Sequence, residues 1–151
     1  MDAAFAQHLD RVRAHRAELG DSMAALDAAL AVEEDDAAVS RRRVRAALTE
    51  LAHDLRGHVE ITEAPDGIYA GLRSAAPRLA SRVDVQLAEH RTMLEEVDRL
   101  LEERDSGLEG EDAVAAHRQA VSDLLATLRR HRTRGADLMY EAYDVDIGGS
   151  G

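Results

Sequence analysis

The sequence predicts an all-α protein, an antiparallel up-down-up-down four-helix bundle, and three observations lead there. Its apolar mass is Ala, Leu and Val interleaved with Arg, Glu and Asp, the mixture typical of long helices. Hydrophobic residues make up 45% of the chain but aromatics only 3%, with no tryptophan. Apolar positions recur at alternating steps of three and four along four segments, which is the pattern of a helix turning one face to a core. At 151 residues the chain builds one domain with a real core and not comfortably two. The bundle is expected over residues 1–147, with the GGSG at 148–151 a flexible tail.

The first segment carries its row on Phe5, His8, Val12, His15, Leu19, Ser22 and Leu26. The charge run EEDD, Glu33 to Asp36, breaks it, and Asp35 or Asp36 is placed to cap the next helix. The second row runs Val44, Leu48, Leu51, Leu55, His58, Thr62. Both prolines and two glycines then fall within Ala64 to Pro77, which ends that helix and leads into the third. The third row is Val83, Leu87, His90, Leu94, Val97, Leu101. SGLEGED, Ser106 to Asp112, joins it to the fourth, with Glu111 or Asp112 near the helix start. The fourth row is Val114, His117, Val121, Leu124, Leu128, His131, Gly135, Leu138. Connections this short make successive helices antiparallel neighbours.

Charge and composition exclude several classes of function. Acidic residues outnumber basic ones 30 to 19, for a net charge of −11, and a surface this acidic repels phosphate backbones. No nucleic-acid partner is expected, and the one basic run, Ser40 to Arg45, reads as the solvated face of a helix. Without cysteine there are no disulfides, thiolate metal sites or thiol nucleophiles. No apolar run approaches membrane-spanning length, and the first ten residues lack the layout of a signal peptide, so a cytoplasmic protein is expected. No nucleophile elbow, phosphate-binding loop or nucleotide fingerprint is present.

Each of the four rows carries a histidine: His15, His58, His90 and His131. In an antiparallel hairpin two residues stand level when the turn lies midway between them, since both helices rise ~1.5 Å per residue. The midpoint of His15 and His58 falls between Asp36 and Ala37, that of His58 and His90 at Ser74, and that of His90 and His131 between Gly110 and Glu111. All three midpoints lie on breaks identified on other grounds, so the four imidazoles are expected to converge at one level of the core. His8 and His117 lie on their rows at other levels, while His53 is off its row and reads as a surface or boundary residue. A lone histidine on an apolar row is ordinarily a hydrogen-bonded core residue. Four clustered in a water-poor core would repel one another if protonated and lack donors if neutral, and a bound metal ion resolves both problems.

At these residues the chain resembles the hemerythrin-like family, also called the HHE cation-binding domain, over roughly Ala6 to Tyr143. That family is a four-helix bundle holding non-haem iron, usually two irons bridged by oxygen and carboxylates. Its pattern is a histidine on the first helix, H-x3-E on the second, a histidine or H-x3-H on the third, and H-x3-E or H-x4-D on the fourth. The resemblance implies His15, His58, His90 and His131 as ligands, with Glu63 and Asp137 as the carboxylates. Here, however, Thr62 and Gly135 stand four residues after His58 and His131, Leu94 stands four after His90, and the two carboxylates come late. A widening of the helix near Pro65 and near Gly135 would bring them round. Without it, Glu63 lies about 140° from His58 around the helix and reaches only from the flank. Tyr69, Tyr140, Tyr143 and Glu141 are expected to cover the bundle's ends and edges.

The resemblance implies a protein that binds dioxygen or a related small ligand, nitric oxide or peroxide, for sensing, storage or detoxification, with oxidase or peroxidase chemistry at iron left open. Zinc or manganese also suits imidazole with carboxylate. Any redox partner or homo-oligomer is left unspecified by the sequence. The ferritin-like di-iron class needs two E-x-x-H motifs, and only Glu50 to His53 provides one. The remaining alternative is a metal-free interaction module, a bundle whose site has decayed and whose acidic face serves a protein partner.

Overall fold

Asp36 starts the second helix as the charge run suggested. Its side chain accepts from the backbone N–H groups of Ala38 and Val39 at 2.9 and 3.4 Å, satisfying donors that the helix leaves free. The computed structural model describes residues 3–32, 36–103 and 110–145, with side chains through Ala142. The glycine-rich tail, Asp35, most of SGLEGED and the side chain of Tyr143 lie outside the described residues.

Among the described residues the chain is helical without strands: α1 (Ala3–Ala31), α2 (Ala37–Glu63), α3 (Ile68–Ala75), α4 (Ala80–Glu102) and α5 (Glu111–Met139). A 3-10 turn over Pro77–Leu79 leads into α4, and a π-helical turn over Tyr140–Val145 extends α5. The four long helices close a ring of contacts, α1 packing on α2 and α5, and α4 packing on the same two. Arg118, early in α5, donates to the carbonyl of Leu30 at the end of α1 and to Ser40 Oγ near the start of α2. No described helix is long and apolar enough to cross a membrane.

The stretch between the prolines is not a plain connection, because it forms α3. Ala64 takes the extended conformation that the following proline favours, with ψ 147°, and this ends α2. The chain then turns back tightly at Gly67, where a Cβ would lie 2.8 to 3.0 Å from the carbonyl oxygens of Ala64, Ile61 and Thr62. Ile68, Tyr69 and Leu72 follow on one buried face of α3. Glycines and prolines on either side conceal this short row in the sequence.

The core has two apolar clusters. Leu19, Leu26, Leu48, Leu51, Leu55, Met93, Val97, Leu125 and Leu128 belong to the larger. Ile68, Tyr69, Leu72, Leu79, Val83 and Leu138 belong to the smaller. Each long helix that contributes a histidine to the centre passes from one cluster towards the other through polar residues: Leu55 to His58 and Thr62 on α2, Met93 to His90 and Gln86 on α4, Leu128 to His131 on α5. A polar layer therefore lies between two oily ones.

Candidate metal centre

Three of the four histidines meet in that layer. His58, His90 and His131 offer ring nitrogens that all lie within 4.8 Å of one another. His90 and His131 are buried, at 0% and 2% exposure. The His58 ring stands edge-on to both others, with centroids 5.3 Å from His90 and 5.9 Å from His131.

The protonation pattern of the pair on α4 and α5 follows from its partners. Glu63 Oε2 lies 2.7 Å from His90 Nδ1, and Glu89 Oε1 lies 3.1 Å from His131 Nδ1. A carboxylate accepts, so both Nδ1 atoms are the donors. In neutral rings both Nε2 atoms then carry bare lone pairs, and these two atoms face each other at 3.1 Å. Neither can donate to the other, so the two lone pairs together suit a cation between them. A proton is a poor candidate for that cation. Burial first, and then the neighbouring His131, push His90 down to about 3; burial and Arg16 push His131 down to about 4. His58 has no hydrogen-bond partner on either ring nitrogen, although both are buried, and burial with its two histidine neighbours holds it at about 3.

These residues fit a metal ion. Ligands of one ion at ~2.1 Å stand roughly 3 to 3.5 Å apart, which the His90–His131 pair already satisfies. A histidine ligand ordinarily donates its other N–H to a carboxylate, which fixes the tautomer and raises its basicity, and two of the three rings here are held in that way. The His58 nitrogens, buried and without partners, gain a bond they otherwise lack.

His15 is not in the group. It stands at the expected height, with its ring beside Gly57, the residue before His58: a Cβ on Gly57 would be 3.4 Å from His15 Nδ1. It differs in its angle around the helix. The buried stripe of α1 through Leu19, Met23 and Leu26 extends back to Arg16 and Val12, so His15 falls on the flank, half-exposed and 4.0 Å from Glu18. Arg16 faces the centre in its place. Asp137 is exposed and lines a separate groove with Arg82, Val85 and Arg134. Glu63 does reach the centre, from the flank, as an acceptor for His90.

The expected widening near Pro65 and Gly135 is absent. α2 is α-helical through Glu63 and α5 through Met139, and the wide turn comes later, at Tyr140. Gly135 has a different use. Its missing side chain admits Gln86, whose Oε1 would lie 3.2 Å from a Cβ there.

Sequence reasoning missed Glu89, Gln86 and Tyr69. Glu89 is largely buried at 16% side-chain exposure and is held by Arg134, so it bonds His131 from a fixed position. Gln86 is buried, accepts from the Tyr69 hydroxyl at 3.1 Å and points its amide at the His131 carbonyl at 3.5 Å. Tyr69 is no edge residue: it is buried, with its ring 5.7 Å from that of His90. The available signal was position, since Gln86 and His90 are one helical turn apart on a single face. Tyr140 and Glu141 do lie at the periphery, Tyr140 60% exposed and Glu141 paired with Arg82 at 2.6 Å. His53 is exposed, and His117 contacts the Leu100 carbonyl at 3.3 Å, away from the centre.

Comparisons with protein-family models, with curated proteins and with solved structures return no match for this chain.

Proposed function

We propose that this chain is a metal-binding bundle of hemerythrin-like type, with up-down-up-down antiparallel helices, that holds non-haem iron through His58, His90 and His131 and binds a small ligand beside it. The observation that carries the reading is the pair of Nε2 atoms facing each other at 3.1 Å, each ring anchored by a carboxylate at its other nitrogen. Three imidazoles are a sufficient set for one ion and leave coordination positions open. Iron held there would supply redox chemistry towards dioxygen or a related ligand such as nitric oxide or peroxide.

The chain's own residues do the rest. Glu63 and Glu89 orient two rings. Thr62, in the place of the resembled family's carboxylate, donates to the His58 carbonyl at 2.7 Å and closes its own turn rather than reaching for the centre. Leu55 and Leu128 shield the centre on the side of the larger apolar cluster. Sensing, storage and detoxification all remain compatible with such a centre.

A second reading, a metal-free interaction module, is favoured by one observation: the departure of Asp137 from the centre, which leaves no carboxylate where the resembled family has its fourth-helix ligand. Metal analysis of the purified protein, with an absorption spectrum in air and after azide, separates the two. About one iron per chain, with a charge-transfer band that azide shifts, is the expected result. Protein that remains colourless and metal-free after anaerobic loading with iron, zinc or manganese overturns the metal reading.

A further inference from the structure

A cavity of about 50 Å³ opens beside His58 and His131, and Arg16 and Arg132 are among the residues that line it. This chain has 30 acidic residues against 19 basic ones, so a carboxylate is the easiest partner for it to supply. It does so elsewhere: Arg56 meets Asp98, Arg73 meets Asp84, Arg99 meets Glu96, and Arg134 meets Glu89. Among the described residues Arg16 and Arg132 have none. Arg16 donates to the backbone carbonyl of Arg132 at 3.3 Å, and Arg132 touches Met23 Sδ at 3.6 Å. Neither has an ion-pair partner among the described residues.

Two half-buried arginines on neighbouring helices beside a small cavity, without a carboxylate among the described residues, can share an anion. The planar guanidinium fork matches a planar oxyanion with two hydrogen bonds. Tyr69 and Gln86 also line the cavity, and the space admits a species of only a few heavy atoms. A neutral diatomic ligand would leave both cations uncompensated.

We infer that Arg16 and Arg132 clamp a small planar monoanion, of the formate, nitrite or bicarbonate kind, in the cavity next to the histidine centre. This deepens the metal reading by naming the charge class of ligand at the same site, and it rests on that reading for the neighbouring ion. The anion enters between α1 and α5, and Arg16 occupies the place on α1 that the sequence pattern reserves for His15.

The test is calorimetric titration with sodium formate, and with formamide as an uncharged analogue of the same shape, on both iron-loaded and metal-free protein. Formate is expected to bind and formamide to bind at least tenfold more weakly. Arg16→Gln and Arg132→Gln should each weaken formate binding tenfold or more at unchanged metal content and unchanged helical circular dichroism. Arg132→Lys, which keeps the charge and loses the fork, should fall between them and the wild type. Equal binding of formate and formamide, or of formate by wild type and both glutamine variants, overturns the inference, as does the absence of formate binding in either form. If the protein takes up no metal but its metal-free form still binds formate through both arginines, the metal reading falls and the clamp stands.

Discussion

His90 and His131 face each other across the α4–α5 interface with their Nε2 atoms 3.1 Å apart, and a different carboxylate holds the far side of each ring. Glu63 comes from the end of α2 and Glu89 from α4 itself, so three helices fix the geometry of two rings. The orientation of the lone pairs is built into the fold before any ion arrives, which is the sense of preorganisation at a metal site.

Removing an orienting carboxylate should therefore weaken binding without abolishing it. Glu89→Gln and Glu63→Gln are each expected to lower metal affinity about 10- to 100-fold, the usual cost of losing such a partner. Competition with a chromophoric chelator measures this. Affinities equal to wild type would show that the rings are held by packing alone.

His15 and His58 should behave differently. His58→Ala is expected to remove most of the bound metal, since that ring is one of three converging groups. His15→Ala should leave the stoichiometry unchanged, because its ring lies on the α1 flank beside Gly57 and Glu18. Metal content per chain decides between this outcome and a centre that recruits His15.

The metal-free protein should lose stability in mild acid. His58 and His90 are held at about 3 and His131 at about 4 in the folded chain, against 6.5 ordinarily. Between these values the unfolded chain binds more protons than the folded one, so stability rises with pH across that window. The contribution is whole above about 6.5 and declines as pH falls below it, by roughly 1.4 kcal/mol per pH unit for each histidine that titrates. Urea midpoints at pH 7 and pH 5, with chelator present, should differ accordingly, and His131→Gln should reduce the difference. Equal midpoints for wild type would contradict the assigned neutral state.

Two glycines on either side of the centre should respond in opposite directions. Gly67→Ala places a methyl within 3.0 Å of three backbone carbonyls that cannot swing away, and a loss of about 1–3 kcal/mol is expected. Gly57→Ala meets only the His15 ring at 3.4 Å, an ordinary contact, inside a long helix. There the lower backbone entropy of alanine should stabilise by about 0.5–1 kcal/mol. Thermal melts of the two variants check both signs.

The long helices were legible because periodicity, capping and proline placement all act locally: Asp36 caps α2, Pro65 ends it, and Glu111 opens α5. Height within the bundle was also legible, since it depends only on helical rise and turn position. Angle around the axis was not. His15 and Arg16 differ by ~100° of helix rotation, and which of them faces inward depends on how α1 rolls against α2 and α5, a matter of packing that no single row encodes. The same limit hid Glu89, which sits beside His90 in the chain yet serves His131 on another helix.

The polar layer between the two apolar clusters has a consequence for how the molecule comes apart. The larger cluster, rich in leucine, can persist as a cooperative unit by itself. The smaller one around α3 depends on α4, α5 and the start of α1 reaching past the level of the buried His90, His131, Thr62 and Gln86. An ion bound at that level would act as a rivet between two foldons, tying the opening of one to the opening of the other. Amide exchange around Ile68, Leu72 and Val83 would then slow on metal addition far more than exchange around Leu48 and Leu125. The residues that chemistry needs at the centre are also those that make the bundle a single mechanical piece.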